Sequence, residues 1–124
     1  MTILVEMDDL LAAGEAILGC PAVVRDVGAL EAAVHRPRAT VFGADAYPSL
    51  DHQAAAHMLS VVQNHALADG NKRLGLVAVV VFYGLNGRRL VAPHEEIFEL
   101  TMAVADGSQT DVETVAQLLG SWAR

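Results

Sequence analysis

Nine residues in the middle of the chain, His65-Ala-Leu-Ala-Asp69-Gly70-Asn71-Lys72-Arg73, gather a base, a carboxylate, an amide and two cations around one glycine. His65 has the side chain whose ordinary pKa suits it to take a proton from an attacking hydroxyl near neutral pH. Gly70 lets the backbone approach an anion closely and take positive φ. Lys72 and Arg73 supply fixed positive charge, and a guanidinium grips phosphate oxygens in pairs. Asp69 would repel a bare phosphate, but it fits once a Mg²⁺ ion lies between carboxylate and phosphate. Asn71 can donate to a phosphate oxygen or help hold that metal. The set is a base, a metal ligand and an anion cradle, which is the equipment of phosphoryl or nucleotidyl transfer.

Such a cradle needs a helix start behind it, because the first N–H groups of a helix are unpaired and its dipole is positive there. The sequence predicts one: His65 ends one helix, Asn71-Lys72-Arg73 opens the next, and the apolar run Leu74–Leu85 continues it as a helix buried on all sides. Asn86-Gly87 supplies its stop. The preceding helix is expected over Asp51–Asn64, capped by Asp51, with Ala55, Met58, Leu59 and Val62 on one face.

Upstream, Met7–Leu18 carries apolar residues at 7, 10, 11, 17 and 18 behind Asp8 and Asp9, and Gly19 and Pro21 end it. Asp26 is placed to cap a short helix through about His35, with Leu30, Ala33 and Val34 inward and Pro37 as its stop. Arg38–Leu50 has no helical period and reads as an extended flap. Its Val41, Phe42 and Tyr47 either pack on the core, the plainer reading, or help hold a protein target. Downstream, Pro93–Val104 forms a helix with Pro in its first turn. Thr110-x-x-Glu113 has the form of a capping box before a last helix lined by Val112, Val115, Leu118, Leu119 and Trp122. The expectation is all-α: one domain over residues 1–124, five to six helices around a buried central helix, and a short flap before the motif helix.

Bulk properties agree. Hydrophobic residues make up 53% and aromatics 5%, so the core is Ala, Val and Leu, as in packed helices. The single Cys20 excludes an internal disulfide, and the acidic N-terminus is unlike a secretory leader, so a reducing cytoplasm is the expected compartment. No apolar run approaches the ~20 residues of a membrane span. A net charge of −7 argues against direct nucleic-acid binding. Against that acidity, the pairs Lys72-Arg73 and Arg88-Arg89 stand out; the first suggests a local anion site, the second a solvated helix end.

The central string resembles the signature of the Fic/Doc family, written HxFx(D/E)GNGRxxR in Fic enzymes and HxFx(D/N)(A/G)NKR in Doc toxins. His65, Asp69, Gly70, Asn71 and Arg73 match. Lys72 stands where Fic enzymes have their second glycine and Leu76 where they have their second arginine, and both differences are Doc features. Val24-Arg25-Asp26-x-Gly28-x-Leu30-Glu31-x-Ala33, Pro37 and Tyr47-Pro48 extend the likeness over most of the chain. Leu67 replaces the phenylalanine that anchors the family's loop, keeping an apolar anchor with less volume. The resemblance implies the toxin of a toxin–antitoxin pair. His65 would activate a Thr or Ser hydroxyl of a protein, elongation factor Tu, and stop translation. Asp69 would bind Mg²⁺, while the Gly70 backbone, Asn71, Lys72 and Arg73 hold the phosphates of ATP. A Phd-type antitoxin would fold its C-terminal segment into a groove on the toxin, and DNA would be reached only through it. No (S/T)xxxE(G/N) segment of the self-inhibiting kind occurs.

Three activities compete on these residues: a protein kinase of the Doc kind, an adenylyltransferase using the same His65, and a non-catalytic module that binds its antitoxin in repression. Lys72 and Leu76 favour the first. Pro93-His94-Glu95-Glu96 lacks a second histidine at zinc-protease spacing. His57, eight residues before His65, fits core packing or exposure better than metal binding.

Overall fold

In the computed structural model, residues 2–67 and 69–124 are described, residue 18 in backbone only. Helix α1 spans Met7–Leu18 and α2 Val27–His35; a 3-10 turn at Arg36–Arg38 leads to a two-stranded hairpin, β1 Thr40–Val41 and β2 Ala44–Asp45. Helices α3 (Leu50–Gln63), α4 (Asn71–Leu85), α5 (His94–Asp106) and α6 (Val112–Trp122) follow. The all-α expectation holds, with six helices and, among the described residues, no sheet beyond the hairpin. The longest helix has 15 residues, and none among the described residues is long and apolar enough to cross a membrane.

The local signals mostly act as expected. Asp26 accepts a hydrogen bond from the Ala29 N–H at 3.0 Å, and α1 stops at Gly19 with φ 78°. Two caps differ from expectation. Ser49, not Asp51, caps α3 by accepting from the His52 N–H, and Asp51 instead takes the Tyr83 hydroxyl at 2.6 Å. Burial, and then that bond, push the Tyr83 phenol above its usual pKa. Asp111, not Thr110, caps α6, and its carboxylate binds both the backbone and the hydroxyl of Thr114. In each case the capping residue directly precedes the first helical turn, which a β-region backbone requires. Pro93 likewise sits one position before α5 rather than in its first turn.

The enclosed element is α3. Residues 53–62 are all buried, because α2, the 3-10 turn, α4, α5 and α6 surround it. The close contact with α4 requires Gly75: a Cβ there would lie 2.3 Å from a Val62 methyl. Helix α4 is more open than its apolar sequence suggests. It packs on α1, α3 and α5 and leaves Val80 (45% exposed) and Leu85 (38%) facing out. In α1, Leu10 is fully buried, but Ile17 is 61% exposed, and the side chain of Leu18, also expected inward, lies outside the described residues.

The flap corrects a second expectation. Val41 and Phe42 do not pack on the core; Phe42 stands fully exposed at the hairpin tip with φ 51°. With two-residue strands, the hairpin is too short to fold its tip back. Only Tyr47 turns inward, its hydroxyl accepting from Arg36 Nε at 3.0 Å.

Candidate functional site

The segment between α3 and α4 divides into pinned and open residues. Ala66 and Leu67 are buried (2% and 0% exposed). The Ala66 carbonyl accepts from the N–H groups of Arg25 and Asp26 at 2.7 and 3.0 Å, and Leu67 forms an antiparallel bridge with Val24. The Asn71 carboxamide closes the loop on itself, accepting from the Leu67 N–H at 3.0 Å and donating to the Leu67 carbonyl at 3.1 Å. Asn71 thus serves first as a clamp on the loop, with one amide hydrogen left over. Leu67 is fully buried, as expected of an apolar anchor.

Against this fixed backbone the candidate side chains are exposed. His65 is exposed and held in the left-handed region at φ 49°, an uncommon conformation for a residue with a Cβ and one that tends to mark functional positions. The Arg25 guanidinium reaches its carbonyl at 3.3 Å. Asp69 is exposed; one carboxylate oxygen accepts from the Gly70 N–H at 2.8 Å. Gly70 precedes α4 at φ 89°, which glycine alone adopts without strain. Lys72 and Arg73 are exposed, and neither belongs to an ion pair among the described residues.

The start of α4 differs from the other five. Helices α1, α3, α5 and α6 carry acids in their first turn, and α2 has the Asp26 cap. Helix α4 has neither acid nor side-chain cap, and it places Lys72 and Arg73 in its first turn. Cations at the positive end of the dipole are each unfavourable by roughly 0.3–1 kcal/mol. This arrangement is mended by an anion, which would meet open N–H groups and two cations together.

The start opens into a cavity of about 510 Å³ lined by Asp69, Gly70, Lys72 and Arg73 on one side and by His94, Phe98 and Met102 of α5 on the other, over Leu76, Ile97 and Thr101. Its size is in the range of small-molecule sites. Of the six residues that sequence singled out, these four line it; His65 and Asn71 are not among its lining residues. The α5 wall and the Arg25 support were not foreseen. No spacing rule reaches from the loop to α5, and Arg25 gave no signal except as part of the family-like flank.

Among the described residues, no three His, Cys, Asp or Glu side chains are grouped to hold a metal by themselves. The donor set fits Mg²⁺ arriving with phosphates, since that ion binds through one or two carboxylates plus substrate oxygens. Asp69, with one oxygen uncommitted at the lip of the cavity, suits that role.

Fold and loop together define a class: small helical domains in which a central loop carrying a histidine and an acid leads into an uncapped helix start that bears two cations. The chain belongs to the Fic/DOC family, which it matches over residues 3–83. It is 41% identical over 124 residues to the protein of Mycolicibacterium smegmatis named Toxin Doc, a match that covers 99% of this chain and 95% of that one.

Proposed function

We propose that this chain is the toxin of a toxin–antitoxin pair and transfers the γ-phosphoryl group of ATP to a Thr or Ser hydroxyl of a translation factor, elongation factor Tu. The observation that carries the reading is the start of α4, where Lys72 and Arg73 occupy a first turn with no acid and no cap. In this account the Gly70 backbone, Lys72 and Arg73 hold the phosphates, Asn71 keeps the loop in shape, and Asp69 holds Mg²⁺, which would neutralise phosphate charge. His65, exposed on the loop, takes the proton of the target hydroxyl as its oxygen bonds to phosphorus, and ADP leaves. The hairpin presents Phe42 to solvent, where a protein target can meet it.

The name of the M. smegmatis relative supports the toxin assignment and with it a Phd-type antitoxin seated in a groove of this chain. Operator DNA would be contacted by that antitoxin, consistent with the net charge of −7. Transfer of AMP by the same loop is the main rival. Leu76 speaks against it, since the cavity around it is walled by Ile97, Phe98 and Met102 rather than by a second cationic group.

Purified protein, Mg²⁺ and elongation factor Tu incubated with ATP labelled at the γ- or the α-phosphate will separate the two. Label from the γ-position on the factor is the expected result; label from the α-position overturns the kinase in favour of adenylylation.

A further inference from the structure

At the other end of α3 from the loop, three polar side chains are linked in series. The Ser49 hydroxyl is hydrogen-bonded to Nδ1 of His52, and Nε2 of His52 meets a Glu113 carboxylate oxygen of α6 at 2.6 Å. A carboxylate only accepts, so Glu113 draws the proton of the neutral imidazole to Nε2 and leaves Nδ1 to accept from Ser49. Ser49 Oγ also accepts from the His52 N–H at 3.1 Å, which occupies one lone pair and leaves the other for attack. Capping α3 requires only that backbone contact. It does not require the imidazole of His52, nor Glu113, which arrives from 61 residues away. A hydroxyl, a base within hydrogen-bond reach and a third group that orients the base are the parts of an activated nucleophile. Ser49 and Glu113 are exposed and His52 is half-buried, so reagents in solution can reach the hydroxyl. The N–H groups of Leu50 and Asp51, first in α3, have no intrahelical partner and are donors for charge developing on a carbonyl oxygen. The length of α3 puts this end roughly 20 Å from the loop, so the cluster is separate from the phosphate cradle.

We propose that Ser49, His52 and Glu113 form a second reactive centre, an acyl-transfer site that accepts the acyl group of small activated esters. Ser49 Oγ bonds to the ester carbonyl carbon as His52 Nδ1 takes the hydroxyl proton. The bond from that carbon to the leaving oxygen breaks, and the alcohol departs with the proton held on Nδ1. Acyl-Ser49 persists until water, giving its proton to the same nitrogen, releases the acid and restores the hydroxyl. Glu113 keeps the ring in the required tautomer and offsets the charge of the imidazolium. Because Ser49 stands exposed, the reactivity of the ester rather than its shape decides what is accepted.

The test treats the full chain with p-nitrophenyl acetate and, separately, with an alkyl fluorophosphonate, whose fluoride a serine oxygen displaces. The labelled residue is located by peptide mass spectrometry in the wild type, Ser49→Asn, His52→Ala and Glu113→Gln. Asparagine also caps helices, so Ser49→Asn removes the nucleophile while keeping the start of α3 and the thermal midpoint. Phosphonylation of Ser49 is expected in the wild type, with p-nitrophenol released faster than in Ser49→Asn. His52→Ala should slow labelling about 10²-fold or more, the usual contribution of a general base, and Glu113→Gln should slow it less. No label on Ser49 in the folded wild type overturns the proposal and leaves the three residues as a cap and an ion pair. Ester hydrolysis unchanged in Ser49→Asn, or Ser49 labelled at the wild-type rate in a folded His52→Ala, overturns it equally.

Discussion

Helix α3 and the loop that follows it are adjacent in sequence and opposite in construction, and each contains a histidine. His57 is fully buried within α3, its ring 5.6 Å from that of Phe82, and both ring nitrogens lack a hydrogen-bond partner among the described residues. Burial, with the Arg38 guanidinium adding to it, lowers its pKa to about 4. His65 is exposed on a left-handed backbone at the mouth of the loop. The same side chain is inert where packing encloses it and available where packing stops. The boundary is sharp because Ala66, Leu67 and Asn71 fasten the backbone within the loop itself, so the open side chains need no packing of their own.

Removing the fastening should have the largest effect. Leu67→Ala deletes the buried anchor and is expected to lower the unfolding free energy by about 2–5 kcal/mol in urea titration. Ligand affinity should fall with it, whereas a purely local role for the loop would leave stability unchanged. Acid should act on the other histidine. The neutral form of His57 is favoured in the fold, so its stability contribution is complete above pH 6.5 and is lost as pH falls toward 4. That difference amounts to roughly 3 kcal/mol by linkage. His57→Leu should flatten this part of the stability profile, and an unchanged slope would show that other groups set it.

Asn71→Ala leaves the Leu67 N–H and carbonyl unpaired and should cost about 1–3 kcal/mol. Asn71→Asp keeps only the acceptor and should recover part of that loss. The smallest effect has the opposite sign. Lys72→Glu places an acid where the α4 dipole favours one, so the midpoint of thermal unfolding should rise with a gain of about 0.5–1 kcal/mol. The same variant should lose affinity for ATP, and a fall in stability would contradict the account of α4.

Much of this was readable from residues alone. Gly19, Asp26 and Pro37 bound α1 and α2 because their effects are local, and α4 begins at Asn71, where the loop chemistry requires a helix start. The composition of residues 65–73 carried the expectation of anion chemistry and a base. What stayed hidden depends on distant packing. Asp51 left its expected cap because Tyr83 of α4 claims it. The apolar run of α4 could not reveal which of its sides lacks a neighbour, and hence that Val80 faces out. Phe98 and Met102 face the cavity only because α5 lies along α4, and Arg25 meets the loop across 40 residues.

The most direct test pairs stability with transfer in one preparation of His65→Ala, assayed with γ-labelled ATP, Mg²⁺ and elongation factor Tu. An exposed residue that acts as the base predicts an unfolding midpoint within the range of ordinary surface substitutions and a fall in transfer of about 10²–10⁴-fold. Transfer at the wild-type rate by a fully folded variant would contradict the assignment of His65, and a collapse of stability would contradict the division of the loop into pinned and open residues.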